Sequence, residues 1–289
     1  MKVTGFTIIK DALKFDYPVV EAINSILPLC DDFIVAVGKS SDNTTQLIQN
    51  IGSSKIRIVN TEWDHTVRSG GNVLAVETNK ALAEIPVDSD WVFYIQGDEV
   101  LHEKYHDELR RVLLLYKDDK KVDGLLFSYL HFYGSFDYVG SSSKWYDYEI
   151  RIIKNNKNIY SYRDAQGFRK GNNVKLNVKQ VDACIYHYGW VKAPEVMQQK
   201  LISMNKHWHD DEWINEHVAG AVDFDYSSID ELQRFSGTHP EVMATRIMEK
   251  NWKFDYDISH NKFSFKETIK KILRKYFGWD VGYKNYKIL

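Results

Sequence analysis

Residues 96–106, Gln-Gly-Asp-Glu-Val-Leu-His-Glu-Lys-Tyr-His, carry two incompatible metal chemistries. Asp98 and Glu99 directly follow the apolar run at 90–95, so their carboxylates fall just past a core strand. Hard oxygen ligands in that place suit Mg²⁺ or Mn²⁺, which usually shares one or two carboxylates with substrate phosphates. Such an ion neutralises charge building up on a departing diphosphate. The acids could equally cap the helix that follows. His102, Glu103 and His106 spell H-E-x-x-H, in which two histidines one turn apart ligate Zn²⁺ and the glutamate activates water. Lys104 and Tyr105 stand where zinc-peptidase helices usually place small or apolar residues, and no clear third ligand follows in 107–121. A packing or surface role is therefore the expectation for both histidines.

Three further stretches could bind or react. In 37–45, Val-Gly-Lys-Ser-Ser-Asp-Asn-Thr-Thr, Gly38 permits close backbone approach. The hydroxyls and amides near the helix start there can hold an anion, although a plain strand-to-helix turn reads the same way. In 69–82 two glycines, Gly70 and Gly71, precede a helix that carries Asn79. In 207–213, His-Trp-His-Asp-Asp-Glu-Trp, histidines and carboxylates cluster, as a metal or acceptor site or as a solvated helix start.

The elements that must position these residues alternate in type. The runs at 3–9, 33–37, 55–60 and 90–95 read as strands, the apolar ones as strands buried on both faces. Between them, 18–27 places Val19, Ala22, Ile23 and Ile26 at helical spacing, Asp42 can cap a helix ending near Gly52, and 71–85 and 101–116 read as helices. This repetition predicts an α/β fold with a mostly parallel sheet covered on both faces. Ligands of such sheets bind beyond the carboxyl ends of the strands. After residue 120 strands follow one another, ending with one at 177–190, and from Ala193 onward helices and aromatic loops take over.

Bulk properties exclude several classes. The chain has 289 residues, 44% hydrophobic and 27% charged, with a net charge of −2 that argues against a chain-wide nucleic-acid role. The two cysteines, Cys30 and Cys184, provide neither a disulfide framework nor a thiolate zinc site. No apolar run approaches the ~18 residues that span a bilayer, and the N-terminus reads as a strand, so a cytoplasmic setting is expected. The segment 262–289 holds eight Lys and Arg against two acids. A capping-box pattern at Ser264–Glu267 and an apolar stripe from Ile269 to Phe277 make it an amphipathic helix. It would pack on its own domain or make peripheral contact with the inner face of a membrane.

The ordered set V-G-x-S-x-D-N-T, then G-N-x-x-A-x-x-x-N-x-A-L, then D-W-V-F-Y-I-Q-G-D-E-V resembles bacterial family 2 glycosyltransferases of the GT-A fold. More narrowly it resembles a subgroup with Gln-x-Asp-Glu-Val in place of Asp-x-Asp. The runs at 148–154 and 187–200 are similar to that subgroup's later motifs, so the likeness covers roughly residues 3–200. It implies transfer of a sugar from a nucleotide sugar to an acceptor hydroxyl. The acceptor implied is a glycan or glycolipid of a bacterial surface.

Residue by residue, the resemblance places Thr7 and Ile9 at the start of the nucleotide pocket and Ser40 and Asp42 in the loop after the second strand. Gly38, Gly71, Asn79, Gly97 and Arg151 fall on the donor side, with Arg151 orienting a phosphate or pairing with nearby acids. Asp98 matches the metal-binding Asp, Gln96 replaces its acidic partner with a weaker neutral ligand, and His187 matches a His that completes the shell of Mn²⁺ or Mg²⁺. Asp147 and Glu149 are the general-base candidates by analogy. The division implied is a nucleotide-sugar-binding half at 1–117, an acceptor-binding half at 118–192 and a helical extension at 193–289. The rivals are a sugar-nucleotide nucleotidyltransferase, disfavoured because 8–18 contains no glycine, and a non-catalytic glycan-binding protein.

Overall fold

Four apolar, β-branched runs form the parallel heart of the sheet: β1 (Val3–Ile9), β2 (Asp32–Gly38), β3 (Ile56–Thr61) and β4 (Trp91–Tyr94). They lie side by side in the order β3-β2-β1-β4, all parallel. Because side chains alternate across a strand, Phe33, Val35 and Phe93 go to one face and Phe6, Ile34, Val92 and Tyr94 to the other. The first face is covered by α1 (Val19–Ile26), whose Val19, Ala22, Ile23 and Ile26 are all buried at helical spacing. The second is covered by α3 (Asn72–Ala83), and α2 (Thr44–Gln49) follows β2. The computed structural model describes residues 1–289 except 65, 69, 143 and 262–283. The capping box and apolar stripe expected within 262–289 fall outside the described residues.

The chain then departs from simple strand-helix alternation. Residues Glu99–Leu101 form a short strand, β5, and the next helix, α4, begins only at His106 and runs to Leu115. The helix expected from residue 101 is thus shortened, because Val100 and Leu101 are drawn into antiparallel pairing with 185–186 and fully buried. His102 precedes the helical turn, and its ring accepts from the Lys104 amide at 3.3 Å. His102 Nε2 lies 2.8 Å from Thr238 Oγ1, whereas His106 Nε2 lies 2.8 Å from the Ser25 carbonyl. The H-E-x-x-H letters therefore do not form a zinc helix, since each ring is spent on a different packing partner.

The second half adds β6 (Gly124–Tyr133), β7 (Tyr138–Gly140), β8 (Tyr148–Lys154), a small sheet of β9 (Ile159–Tyr162), β10 (Gly167–Lys170) and β11 (Val174–Lys175), and the long β12 (Asn177–Trp190). β8 joins β4 and β6 antiparallel, and β12 runs parallel to β6 and antiparallel to β5. Beyond it come α5 (Pro194–Asn205), α6 (Asp211–His217), β13 (Leu232–Arg234), α7 (Ala244–Met248) and β14 (Lys287–Ile288). β13 extends the sheet through β7, and β14 pairs β12. The result is mixed α/β, with its parallel part built from the strands legible in the first third.

One buried ion pair locks β5 to β8. Arg151 donates to Glu99 through Nε (2.8 Å) and Nη2 (2.7 Å), and both side chains are essentially inaccessible. Tyr129 donates its hydroxyl to the same carboxylate at 2.8 Å. Burial opposes the guanidinium charge, but Glu99 outweighs it and holds Arg151 well above its ordinary range. Removing one partner of such a pair leaves an uncompensated buried charge. Arg151→Met is expected to lower the unfolding free energy by about 3–5 kcal/mol, read as a fall in the denaturation midpoint. An unchanged midpoint would show that the pair does not support the fold.

Candidate active site

The parallel strands end at a cavity of about 610 Å³. Its walls come from the end of β1 (Ile8 to Asp11), the turn after β4 (Gln96 to Asp98), β8 (Arg151), the β9–β10 loop (Asp164 to Gln166) and the end of β12 (His187, Trp190). The inward face of α5 closes it with Met197, Lys200, Ser203 and Met204, and Trp63, His207 and Trp208 stand at its edge. Met197, Lys200 and Met204 are three and four residues apart, so one helix face presents them together.

Asp98 reaches this wall because β4 ends at Tyr94, the chain turns through 96–98, and the Tyr188 amide donates to the Asp98 carbonyl at 2.8 Å. Its carboxylate is engaged on one side only. Lys200 Nζ donates to Oδ2 at 3.0 Å and to the Gly189 carbonyl at 2.9 Å. Oδ1 stands 3.8 Å from His187 Nε2. Burial pushes the Asp98 carboxyl up, but the charges around it, Lys200 foremost, outweigh it and hold the group well below the usual carboxylate range. The Tyr17 ring lies between the two lysines, 4.8 Å from Lys200 Nζ and 4.9 Å from Lys192 Nζ, a geometry that stabilises cations against an aromatic face.

Asp98 and His187 offer the oxygen and nitrogen donors that a divalent cation takes. A Cβ at Gly189 would stand 2.6 Å from His187 Nε2 and 2.8 Å from Asp98 Oδ2, so only glycine keeps this corner open. Among the described residues no group of three or more His, Cys, Asp or Glu gathers to hold an ion. The protein side of the site would be Asp98 and His187, with phosphate and water oxygens making up the rest, as is usual for Mg²⁺. Glu99 is not available, because both of its oxygens are taken by Arg151, Tyr129 and the Gln96 amide.

The other expected residues divide sharply. Ile9, Gln96, Gly97, Asp98, Arg151 and His187 line the cavity. Gln96 braces a loop through its amide nitrogen, which donates to the Ala165 carbonyl at 3.4 Å. Arg151 spends its remaining nitrogen, Nη1, on the carbonyls of Ile150 (3.0 Å) and Gln166 (3.2 Å). Thr7 is buried within β1 and lies away from the cavity. Ser40 and Asp42 fasten neighbouring loops instead of facing a ligand: Ser40 Oγ accepts from the Asp11 amide at 3.0 Å, and Asp42 accepts from the amides of Lys14 (2.8 Å) and Thr44 (2.9 Å). Gly38 backs the Trp63 indole. Gly71 has φ 69° and is wedged between Asp164 and Trp208. Its amide donates to the His207 carbonyl at 3.1 Å, so it does not face a phosphate. Asn79 grips the Ser161 backbone from both sides, at 2.8 and 2.9 Å.

Both general-base candidates sit outside the cavity lining. Asp147 is solvent-exposed at the start of β8. Glu149 is buried beneath Gly167 and Asn285, and burial pushes its carboxyl up to about 8. Three acids line the cavity, Asp11, Asp98 and Asp164. Asp11 Oδ1 is held by the amide and hydroxyl of Ser41 and Asp98 by Lys200, and Asp164 sits on the β9–β10 loop. Its neighbours Arg163 (φ 55°) and Ala165 (φ 59°) both adopt the left-handed region, a strain that persists only when surroundings over-determine it. Gln96 and Arg151 supply that restraint through the carbonyls of Ala165 and Gln166.

No family model matches the chain. It is similar to an uncharacterised glycosyltransferase of Rickettsia conorii, 27% identical over 119 residues, which is 41% of this chain and 36% of that relative. The match thus spans about a third of the relative's length. Among solved structures, S. aureus TarS in complex with UDP aligns at TM-score 0.41 and 14% identity, over 71% of this chain and 64% of that one. The Mycobacterium tuberculosis glucosyl-3-phosphoglycerate synthase, in complex with Mn²⁺, UDP and phosphoglyceric acid, aligns at TM-score 0.31 and 17% identity, over 45% and 43%. The likeness to glycosyltransferases carried by the motifs thus recurs in a curated relative of that name.

Glu149 gives a pH signature. Its pKa is raised from 4.5 in the free group to about 8 in the fold. The neutral carboxyl is therefore favoured by folding, and that contribution is full below about 4.5 and lost as pH rises towards 8. Glu149→Gln removes the titration, so the variant is expected to melt above the wild type at pH 8 and to lose less stability between pH 5 and 8. Parallel melting curves for the two proteins across that range would refute the assignment.

Proposed function

We propose that the chain transfers a sugar from a nucleoside diphosphate sugar to an acceptor hydroxyl, with inversion at the anomeric carbon. The observation that carries this reading is the convergence of Asp98, His187 and Lys200 at the carboxyl end of the parallel strands. That place is where ligands of open α/β sheets bind, and its cations suit a diphosphate. Lys200 keeps two of its three N–H donors on Asp98 and Gly189, which leaves one for a phosphate oxygen. A divalent cation held by Asp98 and His187 supplies Lewis-acid neutralisation of the leaving diphosphate. Ile8, Ile9, Trp63 and Leu74 offer flat apolar surface for the base.

Asp164 is the residue we assign as general base, in place of Asp147 and Glu149. It takes the acceptor hydroxyl proton as that oxygen bonds to the anomeric carbon. The bond from that carbon to the diphosphate breaks on the opposite side, and its electron pair leaves with the nucleoside diphosphate. Tyr146, Trp190 and Trp208 line the same cavity and present ring faces suited to a glycan or glycolipid acceptor. We keep a donor half at 1–117 and an acceptor half at 118–192, and add that α5, from the extension at 193–289, contributes Lys200.

A thermal-shift panel of UDP, GDP, CDP and TDP, with and without Mn²⁺, tests the donor site. At least one nucleotide is expected to stabilise the protein; no shift in either condition would overturn the assignment. With that nucleotide's sugars as donors, Asp164→Asn is expected to slow transfer by about 100-fold or more while nucleotide still stabilises the variant. Asp98→Asn is expected to lose the part of the shift that depends on Mn²⁺. An unaltered rate in Asp164→Asn, or a product of retained anomeric configuration by NMR, would remove the inverting mechanism.

A further inference from the structure

His131 lies on β6 directly across from His187 on β12, in register as parallel-strand partners. The register shifts just after His187, before the Trp190–Tyr133 pair, and that irregularity includes Gly189, the residue that keeps the corner beside Asp98 open. The two imidazoles touch through their Nδ1 atoms, 3.0 Å apart, and His131 Nε2 lies 2.8 Å from the Tyr146 carbonyl oxygen. Both nitrogens of His131 are thus assigned partners, and the partners dictate the protons.

A carbonyl oxygen only accepts, so His131 Nε2 carries a hydrogen. The two facing Nδ1 atoms share one proton, and in a neutral His131 that proton belongs to His187. His131 is 3% exposed, among the rings of Tyr129, Trp145 and Tyr146, a desolvated setting that favours the uncharged ring. The alternative places the proton of His187 on Nε2, where it would need an acceptor. The nearest carboxylate oxygen, Asp98 Oδ1, is 3.8 Å away, beyond hydrogen-bond reach.

We propose that His131 is a positioning residue that fixes His187 as the tautomer protonated on Nδ1, so that a bare Nε2 lone pair faces the cation position beside Asp98. This rests on the reading of Asp98 and His187 as a cation site. Metal-ligating histidines usually donate their second ring nitrogen to an oxygen, and losing that partner weakens metal affinity by 10–100-fold. Here the partner is a second imidazole anchored to the backbone, and the strand ladder sets the spacing between the two rings.

The tautomers are read directly in the metal-free wild type from long-range ¹H–¹⁵N correlation spectra of ¹⁵N-histidine-labelled protein. His131 is expected to be protonated on Nε2 and His187 on Nδ1. A His187 protonated on Nε2 overturns the proposal without any variant. Mn²⁺ titrations followed by electron paramagnetic resonance, in the presence of the stabilising nucleoside diphosphate, test the consequence. His131→Phe is expected to weaken Mn²⁺ binding by about 10–100-fold while metal-free nucleotide affinity stays unchanged. His131→Asn, whose amide oxygen replaces Nδ1 as acceptor, is expected to recover most of that loss and serves if the Phe variant does not fold. If the wild type binds Mn²⁺ and His131→Phe binds it equally well, this proposal alone fails. If the wild type binds no Mn²⁺, the cation reading fails and takes the proposal with it.

Discussion

The bidentate pair of Glu99 and Arg151 is the constraint on which the site is built. It occupies a place with almost no solvent, where a carboxylate and a guanidinium are tolerable only with every donor and acceptor satisfied. Tyr129 and the Gln96 amide complete the carboxylate. The spare nitrogen of Arg151 reaches the Gln166 carbonyl and so steadies the loop that carries Asp164. Three segments distant in sequence (96–99, 148–151 and 163–166) are held in one arrangement by this pair. The two adjacent acids thereby take different tasks: Glu99 holds the scaffold together, and Asp98 faces the cavity.

Asp98 is kept ionised in a desolvated setting by a surplus of positive charge around it. Lys200 touches it, and Lys192 packs on the Tyr17 ring that also meets Lys200. Burial lowers Lys192 to about 7, with Lys200 adding to the effect, so the two ammonium groups compete for the same small volume. The cavity also draws on Lys10, Arg68 and Lys206 against Asp11 and Asp164. A diphosphate entering such a place meets oriented cations and not bulk water, which is how preorganised charge acts on a leaving group.

The strands and helices that frame the cavity were legible because they are long, apolar and periodic. β1 and β12 fall at 3–9 and 177–190, as their runs of apolar and β-branched residues predict. The start of α4 was not legible, since Val100 and Leu101 fit a helix equally well until β12 arrives to pair with them. Within the site, Asp98, His187 and Gln96 could be placed by motif. Lys200, Asp164, His131 and Gly189 could not, although Gly189 and Lys200 stand inside a quoted motif and the helical spacing of Met197, Lys200 and Met204 was there to read.

By itself, then, the sequence determined the α/β class, the four strands of the first third and the point where the chain must turn at Asp98. Those properties follow from periodicity and local conformational preference, which act over a few residues. Only the tertiary structure decided the partners of each charged group. It assigned Glu99 to Arg151, Asp42 to backbone amides, Asn79 to the Ser161 backbone and Lys200 to Asp98. Burial and hydrogen bonding between distant segments settle such choices, and residues 102 positions apart, as Asp98 and Lys200 are, leave no local trace of their contact.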